Sequence, residues 1–223
     1  MKKMFVAILI TAAFIFSSNS FAQFGFKIGP KAGINIANLS FDPDLQSGID
    51  KSSKLGFKFG AAVELGFIPL FAIQIEPMYV QKGAEIEGPI FVDQNNQPVN
   101  GSVKFNAAFI EIPILLKLKL PTPGGISPYF FVGPDIGILL SSNQEYEAPG
   151  FNQEVDTKET TSSIDFVLDI GAGVGFSVGP ALMLTFDARY ALGLSDLNDD
   201  PQDSNQSIKS TGIQILVGAM FGL

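Results

Sequence analysis

The chain has no histidine and no cysteine, which leaves its carboxylates as the main candidates for acid–base chemistry. Catalytic triads, His-Asp pairs and metal sites built on histidine are therefore excluded. A pair of Asp or Glu side chains could still act as general acid and general base. Whether these carboxylates are free or paired with basic residues decides between a catalytic and a structural role.

Many charged residues recur at even spacings, as Glu111 and Lys117 do, which puts them on one side of a β-strand. This set is nearly balanced in charge, and charges away from water must be paired, so we interpret it as an inward-facing ion-pair network. We therefore expect no enzyme activity and no cofactor. The predicted network consists of Lys27, Lys31, Lys58, Glu64, Glu76, Glu111, Lys117, Lys119, Asp135, Asp165, Asp169, Asp187 and Arg189.

Two short motifs are similar to ligand-binding sequences but depart from them. The glycines at 171, 173 and 175 lack the Gly-x-Gly-x-x-Gly spacing of nucleotide-binding turns, and a strand-like segment follows them. The acidic segment 196–200 begins like a calcium loop, but Pro201 and Ser207 replace the required glycine and glutamate. We predict no metal site and interpret the glycines as small inward-facing residues.

The elements that position these residues are eight segments in which apolar residues alternate with polar or small ones. The clearest is Leu55 to Phe67, whose odd-numbered residues are all apolar. A period of two predicts β-strands. The predicted strands cover residues 24–39, 55–67, 71–83, 103–120, 126–140, 164–178, 182–192 and 210–223.

The connections between these strands are alternately long and short. This order predicts an all-β fold, an eight-stranded antiparallel up-and-down transmembrane β-barrel of the outer-membrane type. Pro113, within the fourth strand, is expected to mark a bulge. The predicted long loops are Ser40–Lys54, Ala84–Ser102, Ser141–Ser163 and Ser195–Lys209.

The apolar faces are expected to point outward to lipid. They carry roughly forty large side chains, and an eight-stranded barrel is only just wide enough to be filled by side chains. The polar faces are rich in glycine, which suits a crowded interior. The alternative is a soluble lipid-binding barrel with the opposite orientation, which membrane fractionation would distinguish.

The first 22 residues have the pattern of a secretory signal peptide. Lys2 and Lys3 precede an apolar run, and Ser20-Phe21-Ala22 is a small-x-small cleavage sequence. We therefore predict a signal peptide at residues 1–22 and one barrel domain at residues 23–223, located in the outer membrane.

The charge is strongly acidic and concentrated in the long loops. The formal net charge is −8, and subtracting Lys2 and Lys3 makes it −10. This excludes nucleic acid as a partner, because phosphate binding needs basic patches. The loop Ser141–Ser163 combines carboxylates with Tyr146 and Phe151, which we predict to be exposed and to bind a partner.

Three segments resemble a known family. Phe109-Ile110-Glu111-Ile112-Pro113-Ile114-Leu115-Leu116-Lys117 and Arg189-Tyr190-Ala191-Leu192-Gly193-Leu194-Ser195-Asp196 are similar to strand motifs of PorT-like outer-membrane β-barrel proteins of the Bacteroidota. Lys31-Ala32-Gly33-Ile34-Asn35 resembles that family's opening strand. The resemblance implies an eight-stranded outer-membrane barrel, in a family mostly of unassigned function.

Together these features predict a monomeric barrel in contact with outer-membrane lipid. We expect it to act as a structural or interaction protein through its external loops, as a subunit of an envelope or secretion complex. The alternative is a narrow porin-like barrel that transports small solutes. A charged, filled interior leaves little room for a channel, since porins use 16 to 18 strands.

Overall fold

The computed structural model describes residues 25–45, 48–92, 97–120, 122–200 and 206–222. The predicted signal peptide lies outside these ranges. The strands are β1 (Gly25–Asp42), β2 (Asp50–Ile68), β3 (Phe71–Ile75), β4 (Met78–Val92), β5 (Pro98–Lys119), β6 (Ile126–Ala148), β7 (Phe151–Asp156), β8 (Ile164–Ser177), β9 (Leu182–Gly193) and β10 (Ser207–Gly222). Within the described residues, no helix is long and apolar enough to cross a membrane.

The strands form one closed antiparallel barrel. Sequential neighbours pair around the ring, β6 pairs with β8, and β1 pairs with β10 to close it. The ring has eight positions, occupied in order by β1, β2, β3 with β4, β5, β6, β8, β9 and β10. The predicted all-β antiparallel barrel is therefore confirmed, although the chain has ten described strands rather than eight.

Two local features account for the extra strands. The predicted third strand divides at Glu76 and Pro77, because proline has no N–H to donate to the ladder. The ladder nevertheless continues, since the Glu76 N–H donates to the Pro113 carbonyl (3.1 Å) and the Ala61 N–H donates to the Pro77 carbonyl (3.2 Å). The other additional strand, β7, lies beyond the ring and pairs with the extended end of β6.

The predicted long loops are partly strand, which corrects their bounds. Between β4 and β5 the ladder continues to the pair Val92 and Pro98, and β6 runs on to Ala148 before turning into β7. These segments are rich in polar residues, and strands that project into water can be polar on one face. The β5–β6 bulge lies at Ala108/Phe109 and not at Pro113, which pairs in regular register with Asp135.

The outside of the barrel is apolar and the inside is polar. Outward side chains such as Phe57 (60% exposed) and Val217 (56% exposed) form a band around the ring, whereas Lys58 and Leu216 beside them are buried. This arrangement matches lipid outside and paired charges inside, as the sequence predicts.

The inward glycines of β8 make room for two aromatic rings. A Cβ on Gly171 would lie 2.5 Å from the ring of Phe131, and one on Gly173 would lie 2.5 Å from the ring of Tyr129. These rings and Leu115 form a small apolar cluster in the interior. The glycine run therefore has a packing role.

Candidate functional site

All thirteen residues of the predicted charge network lie on the inner face of the barrel. Eleven are buried, and Lys27 and Lys119, near the end with the short turns, are half-buried. The network divides into three connected groups along the barrel: one at its centre, one near the long connections and one near the short turns.

The central group joins opposite walls of the barrel. Arg189 on β9 donates from Nη2 to Oε2 of Glu76 (2.7 Å) and from Nη1 to Oδ2 of Asp169 (2.9 Å). Lys31 donates to Glu76 Oε1 (2.6 Å) and also pairs with Asp187, which accepts a hydrogen bond from Tyr129. Because β9 lies four positions from the β3–β4 position in a ring of eight, the Arg189–Glu76 pair crosses the lumen.

The group nearest the long connections is centred on Glu111. Lys58 contacts its Oε2 (2.5 Å) and Lys82 contacts its Oε1 (2.6 Å). Lys82 also contacts Asp165 Oδ2 (2.8 Å), which accepts a hydrogen bond from Ser210 Oγ (2.7 Å). Glu111 is thus paired with lysines from two other strands, β2 and β4.

Lys82 is a network residue that the sequence analysis missed. It has the same strand phase as Glu76, so the alternation that identified the other residues also indicates its inward direction. With Lys82 the inward set has seven basic and seven acidic residues, counted from the thirteen predicted residues and this one. Equal numbers support pairing throughout the lumen.

Three lysines surround one carboxylate at the end with the short turns. Glu64 lies 2.8 Å from Lys117, 3.0 Å from Lys119 and 3.7 Å from Lys27. Lys117 also donates to Gln74 Oε1 (2.7 Å), and its Nζ lies over the ring of Tyr129, 3.8 Å from the centroid. This end of the lumen is therefore locally basic.

Asp135 is the most weakly paired acid of the network. It is 1% exposed, its nearest cation is Lys58 at 3.9 Å, and neither carboxylate oxygen has a hydrogen-bond partner among the described residues. The other acids each lie within 3.0 Å of a basic group. The acids of the network other than Asp135 are therefore held in ion pairs.

Asp196, at the start of the acidic segment, joins the two described ends of the connection between β9 and β10. Its carboxylate accepts hydrogen bonds from the N–H groups of Ile208 (2.8 Å) and Asn198 (3.0 Å). Burial opposes ionisation, but these N–H groups outweigh it and hold the pKa of Asp196 below its usual value. Within the described ranges, no three acidic side chains are grouped so as to hold a metal ion.

Beyond the lipid-facing band, the outer face of the sheet becomes polar and the inner face becomes apolar. On β5 and β6 the outward residues change from Ile110 and Ile138 to Lys104 and Glu147, which form an ion pair of 2.7 Å. The hydrogen bond to Glu147 raises the pKa of Lys104. We name the part of the sheet beyond this boundary, residues 84–92, 98–107 and 142–156, the projecting sheet.

The inner face of the projecting sheet is apolar. Near the barrel mouth it packs on a buried cluster that includes Phe41, Ile86 and Leu197. Farther out it forms an open groove of about 560 Å³, lined mainly by apolar residues. The groove contains Phe91, Val92, Val99, Tyr146, Ala148, Pro149, Phe151, Gln153 and Val155.

The groove brings together the two predicted partner-binding aromatics and residues that the sequence analysis missed. Phe151 is 47% exposed and its ring centroid is 6.2 Å from that of Phe91. Tyr146 was predicted to be exposed but is half-buried, and its hydroxyl donates to Gln144 Oε1 (2.5 Å). Both residues lie in strands rather than in an irregular loop. The alternation of apolar and acidic residues at positions 84–87 could have indicated that β4 continues beyond Gly83.

A closed barrel with an apolar exterior and a charged interior defines an integral outer-membrane β-barrel protein. The model of the outer membrane protein beta-barrel domain family matches residues 21–199, and the chain belongs to this family. The predicted location in the outer membrane is confirmed, and the barrel is in contact with its lipid. No curated protein sequence matches the chain.

Solved outer-membrane barrels share this fold. The outer membrane protein OprG from Pseudomonas aeruginosa is 11% identical, with a TM-score of 0.50, and the match covers 91% of this chain and 96% of OprG. Neisserial surface protein A is 13% identical, with a TM-score of 0.48, over 88% of this chain and 96% of that protein. Ail of Yersinia pestis, solved with a heparin analogue, is 15% identical, with a TM-score of 0.38, over 88% and 99%. At such identities the likeness to OprG supports the fold alone.

Proposed function

We propose that this protein is a non-enzymatic interaction protein of the outer membrane, which binds a protein partner through the inner face of its projecting sheet. The barrel anchors this sheet as a monomer after removal of residues 1–22. In this proposal it is a PorT-like barrel and a subunit of an envelope or secretion complex.

The proposal rests on the change in polarity of the two sheet faces at the membrane boundary. Inside the lipid band the inner face is charged, but beyond it the inner face holds Phe91, Phe151 and Val155. These side chains have no lipid to face, and Val92 at the hairpin end is 68% exposed. Apolar and aromatic residues exposed to water in a concave surface are typical of protein-binding sites.

The lumen favours binding over transport. The Arg189–Glu76 and Lys82–Asp165 pairs join strands two or more ring positions apart, and their side chains occupy the interior. A solute passing through would have to separate buried ion pairs, which costs about 3 to 5 kcal/mol for each pair broken.

Site-specific photocrosslinking in intact cells tests the proposed function. A photoreactive residue at Phe151 is expected to give a discrete protein adduct, and the same residue at lipid-facing Phe57 is expected to give none. The Val155→Ser substitution should reduce the adduct, because it removes apolar surface from the groove. If Phe151 and Phe57 give the same crosslinking pattern, the proposed function is wrong.

A further inference from the structure

The strand β7 leaves one edge of the projecting sheet open. Among the described residues it pairs with β6 alone, whereas every position in the ring has two neighbours. Its backbone therefore carries a row of N–H and C=O groups without strand partners on the far side. Such an edge is a template for another strand.

The pairing with β6 shows which groups point outward. The Thr157 N–H donates to the Ser142 carbonyl (3.0 Å), so this pair is hydrogen-bonded across the hairpin. Hydrogen-bonded and non-hydrogen-bonded pairs alternate along an antiparallel ladder. The N–H and C=O groups of Asn152, Glu154 and Asp156 consequently point to the open edge.

The side chains beside this edge differ on the two faces. Phe151 and Val155 lie on the inner, apolar face, and Glu154 and Asp156 lie on the outer face. Glu154 is directly opposite Glu145, and like charges placed opposite each other destabilise a sheet. Glu145 also lies directly opposite Lys104 on β5, whereas the described partner of Glu154 is the neutral amide of Asn143 (2.5 Å). Among the described contacts, Glu154 is therefore without a cation.

We propose that the partner binds by adding an extended segment to the open edge of β7, and that this segment alternates apolar with basic residues. Its backbone pairs with Asn152 and Glu154, its apolar side chains continue the groove beside Phe151, and its basic side chains compensate Glu154. The inference rests on the proposed function and specifies how the partner is recognised.

A second copy of β7 fits this edge less well. Antiparallel pairing of two β7 strands would bring Glu154 and Asp156 of one copy close to those of the other, and these like charges would repel. A partner strand with basic residues avoids this repulsion. A foreign basic strand is therefore the occupant that the charge pattern favours.

Peptide binding to the full-length barrel in detergent tests the inference. The probes are two eight-residue peptides, one alternating Lys with Val and the other alternating Glu with Val, together with a Lys/Val peptide N-methylated on alternate residues. We expect the Lys/Val peptide to bind at least tenfold more tightly than the other two. Equal binding of the methylated and unmethylated peptides would overturn the inference.

Matched variants separate the backbone from the side chain. Asn152→Pro removes the outward N–H, whereas Asn152→Ala removes only the side chain. We expect Asn152→Pro to weaken binding of the Lys/Val peptide at least tenfold and Asn152→Ala to change it less than twofold. Glu154→Lys tests the charge preference separately, and it should reverse the preference between the Lys/Val and Glu/Val peptides. If Asn152→Pro and Asn152→Ala bind the peptide equally, or the preference survives Glu154→Lys, strand addition is wrong.

The outcomes distinguish the inference from the proposed function. A Phe151 adduct that persists in Asn152→Pro, without selective peptide binding, would overturn strand addition and leave the interaction role intact. Loss of the adduct in Asn152→Pro and its retention in Asn152→Ala support both. If the barrel self-associates, and Asn152→Pro abolishes this self-association while Asn152→Ala does not, the occupant of the edge is a second copy. That result would overturn the proposal of a different partner.

Discussion

Arg189 and Glu76 meet across the full width of the barrel, with Nη2 of the guanidinium 2.7 Å from Oε2 of the carboxylate. Both side chains are fully buried. Their strands lie on opposite sides of the ring, so this contact ties two walls that share no backbone hydrogen bond. It places buried charged side chains across the interior of the barrel.

Removing this arginine is expected to destabilise the barrel strongly. Arg189→Met leaves Glu76 and Asp169 buried with fewer cations, which should lower the free energy of unfolding by about 3 to 5 kcal/mol. Urea titration followed by the heat-dependent electrophoretic shift measures the change. Lys119→Met is the control, because Glu64 keeps two other lysines, and it should cost much less. Similar losses in the two variants would contradict the assigned role of Arg189.

Asp135 is expected to respond in the opposite way. Because its carboxylate is buried without a hydrogen-bond partner among the described residues, Asp135→Asn should leave the free energy of unfolding unchanged or raise it. The matched variant Asp169→Asn weakens a 2.9 Å ion pair with Arg189 and should be destabilising. The same titration tests both, and a larger loss in Asp135→Asn would show that this residue has a partner in the folded barrel.

The lipid-facing orientation predicts a depth-dependent cost of charge. Val217 lies midway along the outward face of β10, and Val217→Arg should cost about 2 to 4 kcal/mol of folding free energy in lipid vesicles. Asn152→Arg in the projecting sheet should cost almost nothing, since that position faces water. Equal tolerance at the two sites would refute the orientation.

The filled lumen predicts that the reconstituted barrel shows no large, steady conductance in planar bilayers. Because buried ion pairs join distant strands across the interior, we expect no aqueous path of porin width. A 16-stranded porin reconstituted in the same bilayer serves as the positive control. A porin-sized current from this protein would instead support the transport alternative.

Folding and binding are expected to separate along the chain. Replacing residues 145–154 with a short Gly/Ser turn removes the end of β6 and most of β7 but leaves the pairings of the ring strands in the lipid band. The shortened protein should keep its heat-dependent mobility shift and lose the adduct formed by a photoreactive residue at Phe91. An unchanged Phe91 adduct would place the partner-binding surface elsewhere.

The sequence by itself determined the barrel and the direction of its faces. A period of two is local, so the outward position of Phe57 and the inward position of Lys58 follow from neighbouring residues alone. The same phase contained the position of Lys82, which lies within the predicted third strand but was not assigned to the network. Residues 84–102 and 141–163 were predicted as long loops from the alternation of long and short connections, although strands occupy much of both segments.

Only the tertiary structure decided which residues meet. Arg189 and Glu76 are 113 residues apart, and their contact depends on ring closure and register, which local spacing does not specify. The same is true of Phe91 and Phe151, which share a groove because two hairpins extend side by side beyond the membrane. The open edge of β7 is likewise a property of the assembled sheet, since a strand has a free edge only relative to the neighbours that folding gives it.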